Sequence, residues 1–190
     1  KQMQDRDEKN RTYGNLKWYW KEEKPDDLNA AEFCMQHAIL TWMFYKENLT
    51  EKGRAQLEEL IRFGLEGVKR RGVKPSYTNI FLMHCWNLIA IGENTNRPET
   101  AAEGQAAFQE WLEYTRNNGV REYNSTTYYG VDLDCLGLIA RHAKDEKTKK
   151  SAEAAIRYLW TDIAVNWFEP AGRQGGAHSR DYNYLQGHGY

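Results

Sequence analysis

The sequence lacks a long apolar run, an excess of charge of one sign and an even set of cysteines. Its longest apolar run, residues 80–91, is interrupted by His84 and Asn87 and is shorter than the ~20 residues of a membrane-spanning helix. With 26 Lys and Arg against 27 Asp and Glu, the net charge is −1 and no basic stripe is present. We therefore expect no membrane span and no nucleic-acid partner. Because the Cys number three, we also expect no disulfide framework.

Several motifs of catalysis and ligand binding are missing as well. The sequence has no HxxxH or CxxC spacing and no Gly-rich phosphate loop. A GxSxG turn and a Cys/His nucleophile pattern are also absent. We therefore expect neither a metal nor a cofactor.

What the sequence does contain is a helical-hairpin repeat. Cys34, Cys85 and Cys135 recur 51 and 50 residues apart, each inside an apolar run that an amphipathic stretch follows. A hairpin of this kind needs neighbours on both sides to bury its apolar faces. The pattern predicts one all-α domain over residues 1–190, with loop-rich segments at 1–29 and 168–190. Its three antiparallel hairpins are expected at about 30–70, 77–117 and 128–167.

Individual helix boundaries follow from capping residues and periodicity. The run from 30 to 45 is apolar on nearly all sides, which indicates a helix enclosed by others. Thr50 is a suitable N-cap for the next helix, and Pro98 marks a later helix start. We expect the last helix at about 151–167.

The loops that lead from each amphipathic helix to the next apolar one are rich in aromatic and polar residues. In up-and-down hairpins, all loops of one kind lie at one end of the bundle, so these residues are expected to share one rim. The surplus of 7 Trp and 12 Tyr fits this rim as well as it fits core packing. The predicted substrate-binding residues are Trp18, Trp20, Tyr77, Tyr123, Asn124, Tyr128, Tyr129 and Tyr184.

The last loop carries the densest group of chemically active side chains. His178, Arg180, Asp181 and Tyr182 lie within five positions, close to Gly175 and Gly176. An imidazole, a guanidinium, a carboxylate and a phenol together suit acid/base work on a polar substrate. The alternative is that Arg180 and Asp181 pair with each other and leave His178 solvated.

Two further carboxyl groups are candidates. Glu122 is either a catalytic acid or a cap or solvated charge. Asp132 enters an apolar helix in GVDLDCLG, where an unpaired buried carboxylate is costly. It either lines a polar lumen or bonds to loop backbone.

The chain resembles the (α/α) hairpin toroids of carbohydrate-active enzymes, namely heparinase- and alginate-lyase-like polysaccharide lyases and six-hairpin glycoside hydrolases. The resemblance rests on the period of roughly fifty residues, on the aromatic loops, and on Asn79 at a helix start with His178, Arg180 and Tyr182 in a later loop. It implies that Asn79 and Arg180 neutralise a uronate carboxylate while His178 and Tyr182 transfer protons. Six hairpins need more chain than this, so we expect part of a longer toroid or completion by self-association.

The resulting hypothesis is an enzyme that cleaves a polysaccharide or oligosaccharide by elimination or hydrolysis at the rim. Its partners would be a glycan and either a second copy or the remainder of a longer chain. Alternatives are a non-enzymatic binding or assembly module and a toroid enzyme acting on a hydrophobic, terpenoid-like substrate. Three Asn-X-Ser/Thr sequons, at Asn10, Asn48 and Asn124, leave the compartment open between secreted or periplasmic and cytoplasmic.

Overall fold

The computed structural model describes residues 2–180 and shows an all-α protein, which confirms the predicted fold class. Over this range the six α-helices are α1 (Ala30–Tyr45), α2 (Glu51–Arg70), α3 (Thr78–Asn94), α4 (Pro98–Asn118), α5 (Tyr129–His142) and α6 (Glu146–Val165). None of these helices is both long enough and apolar enough to cross a membrane. The toroidal arrangement of the hairpins stays a prediction.

The helix starts show why the boundaries fall where they do. Thr50 Oγ1 accepts a hydrogen bond from the backbone N–H of Gly53 at 3.1 Å, so it caps α2 as predicted. Pro98 begins α4, also as predicted. Asp145 accepts from the backbone N–H of Thr148 at 2.7 Å and caps α6. The predicted start near residue 151 was therefore wrong, because the charged residues after Asp145 belong to the first turn rather than to a loop.

The chain after α6 also differs from the prediction. A short antiparallel pair, β1 (Trp167–Phe168) and β2 (Arg173–Gln174), follows the helix where loop alone was expected. The 3-10 turn Glu169–Ala171 and Gly172, with φ of 62°, reverse the chain between the two strands.

The chain folds as two compact units. The first comprises Lys1–Val73 and Asn87–Gly104, and the second comprises Lys74–Trp86 and Gln105–Tyr190. In the first unit α1 packs against α2, and in the second α5 packs against α6. Each unit is described by itself below.

The first unit binds its N-terminal segment tightly to α2. Gln4 Nε2 donates to the carbonyl of Leu60 at 3.1 Å, and Tyr13 and Leu16 are buried. Gly14, with φ of 81°, lies so close to Gly67 that a Cβ on Gly67 would be 2.8 Å from the Gly14 carbonyl carbon. The segment predicted as loop-rich therefore packs backbone to backbone against a helix.

The second unit has an aromatic core. Trp86, Phe108, Trp111 and Tyr129 are all almost completely buried. Phe108 and Trp111 stack with ring centroids 6.0 Å apart. Some of the aromatic surplus in the sequence is thus core, as large rings dominate buried area.

Two of the helical glycines, Gly67 and Gly137, should change stability in opposite directions when replaced by alanine. Gly67→Ala should lower the free energy of unfolding by about 1–3 kcal/mol, because its Cβ meets backbone atoms that cannot turn away. Gly137→Ala should raise it by about 1 kcal/mol, since nothing lies within 4 Å of the new Cβ and alanine favours helix. Urea unfolding followed by circular dichroism measures both; equal effects would contradict the close approach of Gly14 and Gly67.

Candidate functional site

Glu122 and Asn79, from two different loop–helix junctions of the second unit, meet in its interior. The side chain of Glu122 is 3% exposed. Its Oε2 accepts from the backbone N–H of Asn79 at 2.7 Å, and Asn79 Nδ2 donates to both carboxylate oxygens at 2.7 and 2.8 Å. Because the first backbone N–H groups of a helix lack intrahelical partners, Glu122 caps the start of α3.

Arg180 pairs with the same carboxylate. Its guanidinium forms an ion pair with Glu122 Oε1 and lies over the rings of Tyr77 and Tyr128, 4.7 and 4.4 Å from their centroids. Arg180 Nη2 also donates to the hydroxyl of Tyr128 at 3.1 Å. Arg180 pairs with Glu122 here, whereas the alternative interpretation had it paired with Asp181, which lies outside the described residues. The planar guanidinium suits this combination of stacking and ion pairing.

Asn124 holds the loop that carries His178. Asn124 Nδ2 donates to the carbonyls of Gly175 at 2.7 Å and Ala177 at 3.2 Å. His178 Nδ1 lies 2.8 Å from the Asn124 carbonyl oxygen. Since a carbonyl only accepts, Nδ1 carries a hydrogen, and in the neutral form of the ring Nε2 is then the acceptor.

Two further hydrogen bonds hold residues 179 and 180 against the same loop. The N–H of Ser179 donates to the carbonyl of Tyr123 at 3.0 Å, and Ser125 Oγ donates to the carbonyl of Arg180 at 3.4 Å. Ser125 is fully buried and also accepts from the backbone N–H of Tyr128 at 3.1 Å. Sequence reasoning missed Ser125, although a Ser in the loop just before a helix is a known turn residue.

Asp132 is an acid in an unfavourable environment for its charged form. It is fully buried, and neither carboxyl oxygen has a hydrogen-bond partner between residues 2 and 180. Burial, and secondly the nearby charge of Glu122, raise the pKa of Asp132 well above its usual range. The neutral form of Asp132 is therefore favoured, close to the carboxyl group that Arg180 and Asn79 contact.

The other predicted residues of the second unit are placed as follows. Tyr129 is buried, its hydroxyl donates to Asp162 Oδ2 at 2.6 Å, and burial followed by this hydrogen bond raises its pKa. Tyr123 is half exposed. Asp181, Tyr182 and Tyr184 lie outside the described residues.

Trp18 and Trp20 belong to the first unit. Trp18 Nε1 donates to Asp27 Oδ2 at 3.0 Å, and its ring packs on Phe33 with centroids 5.5 Å apart. Trp20 is 67% exposed and lines an open cleft of about 380 Å³ with Gln2 and Lys17. Trp18 is thus oriented by a hydrogen bond, and Trp20 offers a solvent-facing ring.

The described residues contain no cluster of three or more His, Cys, Asp or Glu side chains that could hold a metal ion.

Replacing Asp132 by Asn should remove a pH dependence of stability. Above the unfolded pKa near 3.8, folded Asp132 keeps a proton that the unfolded chain releases, so wild-type stability falls as pH rises toward the folded pKa. The Asp132→Asn variant lacks this loss. Its advantage over wild type should grow by up to about 1.4 kcal/mol per pH unit, as measured by urea unfolding at several pH values.

Glu153→Gln, at an exposed position of α6, is the control and should change stability by less than about 0.5 kcal/mol. An Asp132→Asn advantage that stays constant between about pH 4 and pH 7 would show that Asp132 is charged in the folded chain.

Comparison with known proteins gives a family but no relative of established activity. The family described as "Domain of unknown function (DUF8769)" matches residues 2–188. No curated protein and no solved structure matches the chain. Because the match extends over nearly the whole sequence, the chain belongs to the family of domains of unknown function DUF8769.

Proposed function

We propose that the protein is a carbohydrate-active enzyme that hydrolyses a glycosidic bond, with Asp132 as the proton donor and Glu122 as the second carboxylate. One observation carries the proposal: Asp132, a buried acid whose pKa is raised, lies within electrostatic reach of the buried, ion-paired carboxyl group of Glu122. Glycoside hydrolases need such a pair, one acid to protonate the leaving oxygen and one carboxylate to act as nucleophile or base.

The surroundings of each group support its role. Burial keeps the proton on Asp132, and the charge of Glu122 adds to this effect. Glu122 is stabilised as an anion by Arg180 and by the backbone and side-chain donors of Asn79. Pairs of acids whose environments push their pKa values apart are typical of acid/base sites.

The same contacts favour hydrolysis over elimination. In the lyases that the chain resembles, an Asn and an Arg neutralise a uronate carboxylate, and here Asn79 and Arg180 are the corresponding residues. Both donate to Glu122 instead. A uronate would have to displace a buried side-chain carboxylate, which would then lose its partners.

Elimination remains the second candidate because of His178. Its Nδ1 is fixed on the Asn124 carbonyl, which leaves Nε2 as a proton acceptor. The proposed leaving-group acid of that mechanism, Tyr182, lies outside the described residues.

Aromatic side chains supply the proposed sugar contacts. Tyr123 is exposed, and Tyr77 and Tyr128 are partly exposed next to Arg180. Their rings offer the flat apolar faces on which sugar rings stack. In the first unit, Trp18 and Trp20 are proposed as a separate sugar-stacking surface.

An apolar patch on the second unit favours the alternative of an assembly module. The patch lies on the last turns of α6 and on β1, and its members are exposed to between 45% and 73%. They are Tyr158, Trp160, Val165, Trp167 and Phe168. Exposed large apolar side chains are typical of protein contact surfaces, and these would serve self-association or contact with the remainder of a longer chain without excluding catalysis.

The terpenoid-like alternative has weaker support. An apolar groove of about 530 Å³ lies between α4 and α6, lined by residues such as Trp111, Leu112 and Tyr158. Its lining includes no carboxyl group to protonate a hydrocarbon.

Glu122→Gln and Asp132→Asn should each lower hydrolysis by about 10²–10⁴-fold, because one removes the second carboxylate and the other the transferable proton. The measurement is chromatography of products from a panel of neutral and uronate-containing oligosaccharides. Asp132→Asn is expected to fold at least as stably as wild type, so its loss of activity would not reflect unfolding.

Tyr182→Phe and His178→Ala separate the two reactions on the same panel. Loss of an ultraviolet-absorbing unsaturated product in these variants, with Glu122→Gln and Asp132→Asn fully active, would replace hydrolysis by elimination. Full activity in all four variants would remove the assignment of the site.

Trp167→Ser combined with Phe168→Ser should lower the molar mass in solution if the patch joins two copies of the chain. Light scattering coupled to size-exclusion chromatography measures this. A single-copy mass for both wild type and variant would show that the patch does not join copies.

A further inference from the structure

The strap, residues 175–180, lies against the loop that contains Glu122. Its last residue, Arg180, has a side chain that is 32% exposed, whereas the side chain of its partner Glu122 is 3% exposed. Arg180 is therefore the outer member of the pair. As the strap lies in this structure, a polar substrate has no open path to the oxygens of Glu122.

The strap is held by separate polar contacts and contributes little apolar surface. The hydrogen bonds and ring contacts described above join it to residues 122–128 and to Tyr77. The N–H of Gly175 also donates to the carbonyl of Asn166 at 2.8 Å. Gly175 and Gly176 have no side chain, and the methyl group of Ala177 is exposed. Segments with few buried apolar contacts open at low free-energy cost compared with a helix core.

A glycine lies near the start of the strap, where a hinge would act. Gly176 has φ of 88°, in the left-handed region that glycine adopts without strain. One or a few such residues can absorb the backbone rotation of a moving loop. Before the strap, β1 and β2 pair as a short hairpin that fixes its N-terminal end.

We propose that the strap is a gate over Glu122, that Arg180 is its latch, and that the gate opens to admit a glycan. The inference rests on the proposed function for the identity of the ligand, and it deepens that function by assigning Arg180 a positioning role. The closed state is favoured because opening leaves Glu122 without its counter-ion. Substrate hydroxyl groups that donate to Glu122 would offset this loss in the open state.

The latch has a consequence for substrate class. With Arg180 and Asn79 both donating to Glu122, neither supports a substrate carboxylate in the closed state. In the open state Asn79 still donates to Glu122, and the uncovered carboxylate of Glu122 disfavours a second carboxylate beside it. The gate therefore fits a neutral sugar better than a uronate at this position.

The test is carbodiimide labelling of carboxyl groups in the whole chain, read by peptide mass spectrometry without any substrate. In wild type, Glu122 should be labelled at least about tenfold more slowly than Glu169, which is exposed, since a closed fraction of 90% or more gives this ratio. Arg180→Gln should raise the labelling rate of Glu122 severalfold, with Arg180→Lys intermediate because lysine keeps the charge but not the stacked plane. Arg173→Gln, an exposed Arg outside the strap, should leave the rate unchanged.

Hydrogen exchange on the same proteins separates gate opening from general unfolding. Faster exchange in Arg180→Gln confined to residues 122–128 and 175–180 supports the gate. Unchanged labelling of Glu122, or faster exchange extending through α5 and α6, overturns it and leaves Arg180 as an ordinary structural ion pair. If the gate does not exist, Glu122→Gln and Asp132→Asn should still lose activity. If wild type hydrolyses no glycan, the labelling rates of Glu122 in wild type and Arg180→Gln should still differ.

Discussion

The proposed chemistry of the second unit depends on how the buried carboxylate of Glu122 is paired. A charge in the interior is costly unless it is paired and hydrogen-bonded, and Glu122 recruits its partners from three separate stretches of chain. It caps α3 through Asn79, anchors Arg180 from the C-terminal loop, and acts on Asp132 through space. One side chain thus caps the start of a helix, positions a loop and adds to the effect of burial on the pKa of Asp132.

Much of the fold was predictable because helices are specified locally. The bounds of α1 and the caps Thr50 and Pro98 follow from periodicity and N-cap chemistry within a few residues of sequence. The start of α6 was predicted too late because the charged residues after Asp145 were interpreted as loop, and Glu and Lys occur both in loops and in the first turns of helices. The strands β1 and β2 have two residues each, too short for an alternating pattern to show.

For the candidate site, the sequence indicated which residues lie near one another better than it indicated which contacts they make. The repeat placed Asn79, Glu122, Asn124 and His178 in loops of one kind, and the structure shows contacts among them in the second unit. Pairing could not be read from sequence, because nothing local indicates that Arg180 meets Glu122 rather than Asp181. The sequence also does not show which tyrosine is buried. Tyr128 and Tyr129 are adjacent, yet Tyr128 contacts Arg180, whereas Tyr129 lies in the core and bonds to Asp162.

The buried position of Asn124 affects whether an oligosaccharide can be attached to its side chain. Asn124 begins one of the sequons, but its amide nitrogen already donates to Gly175 and Ala177, and the residue is 5% exposed. An N-linked oligosaccharide on that nitrogen would displace the carbonyls and fill the space that the strap occupies. Asn48 is exposed. Asn10 is exposed too, although its amide nitrogen donates to the carboxylate of Asp5 at 3.1 and 3.2 Å. In a cell that modifies sequons before the chain folds, glycosylation at Asn124 and native docking of the C-terminal loop would be mutually exclusive outcomes.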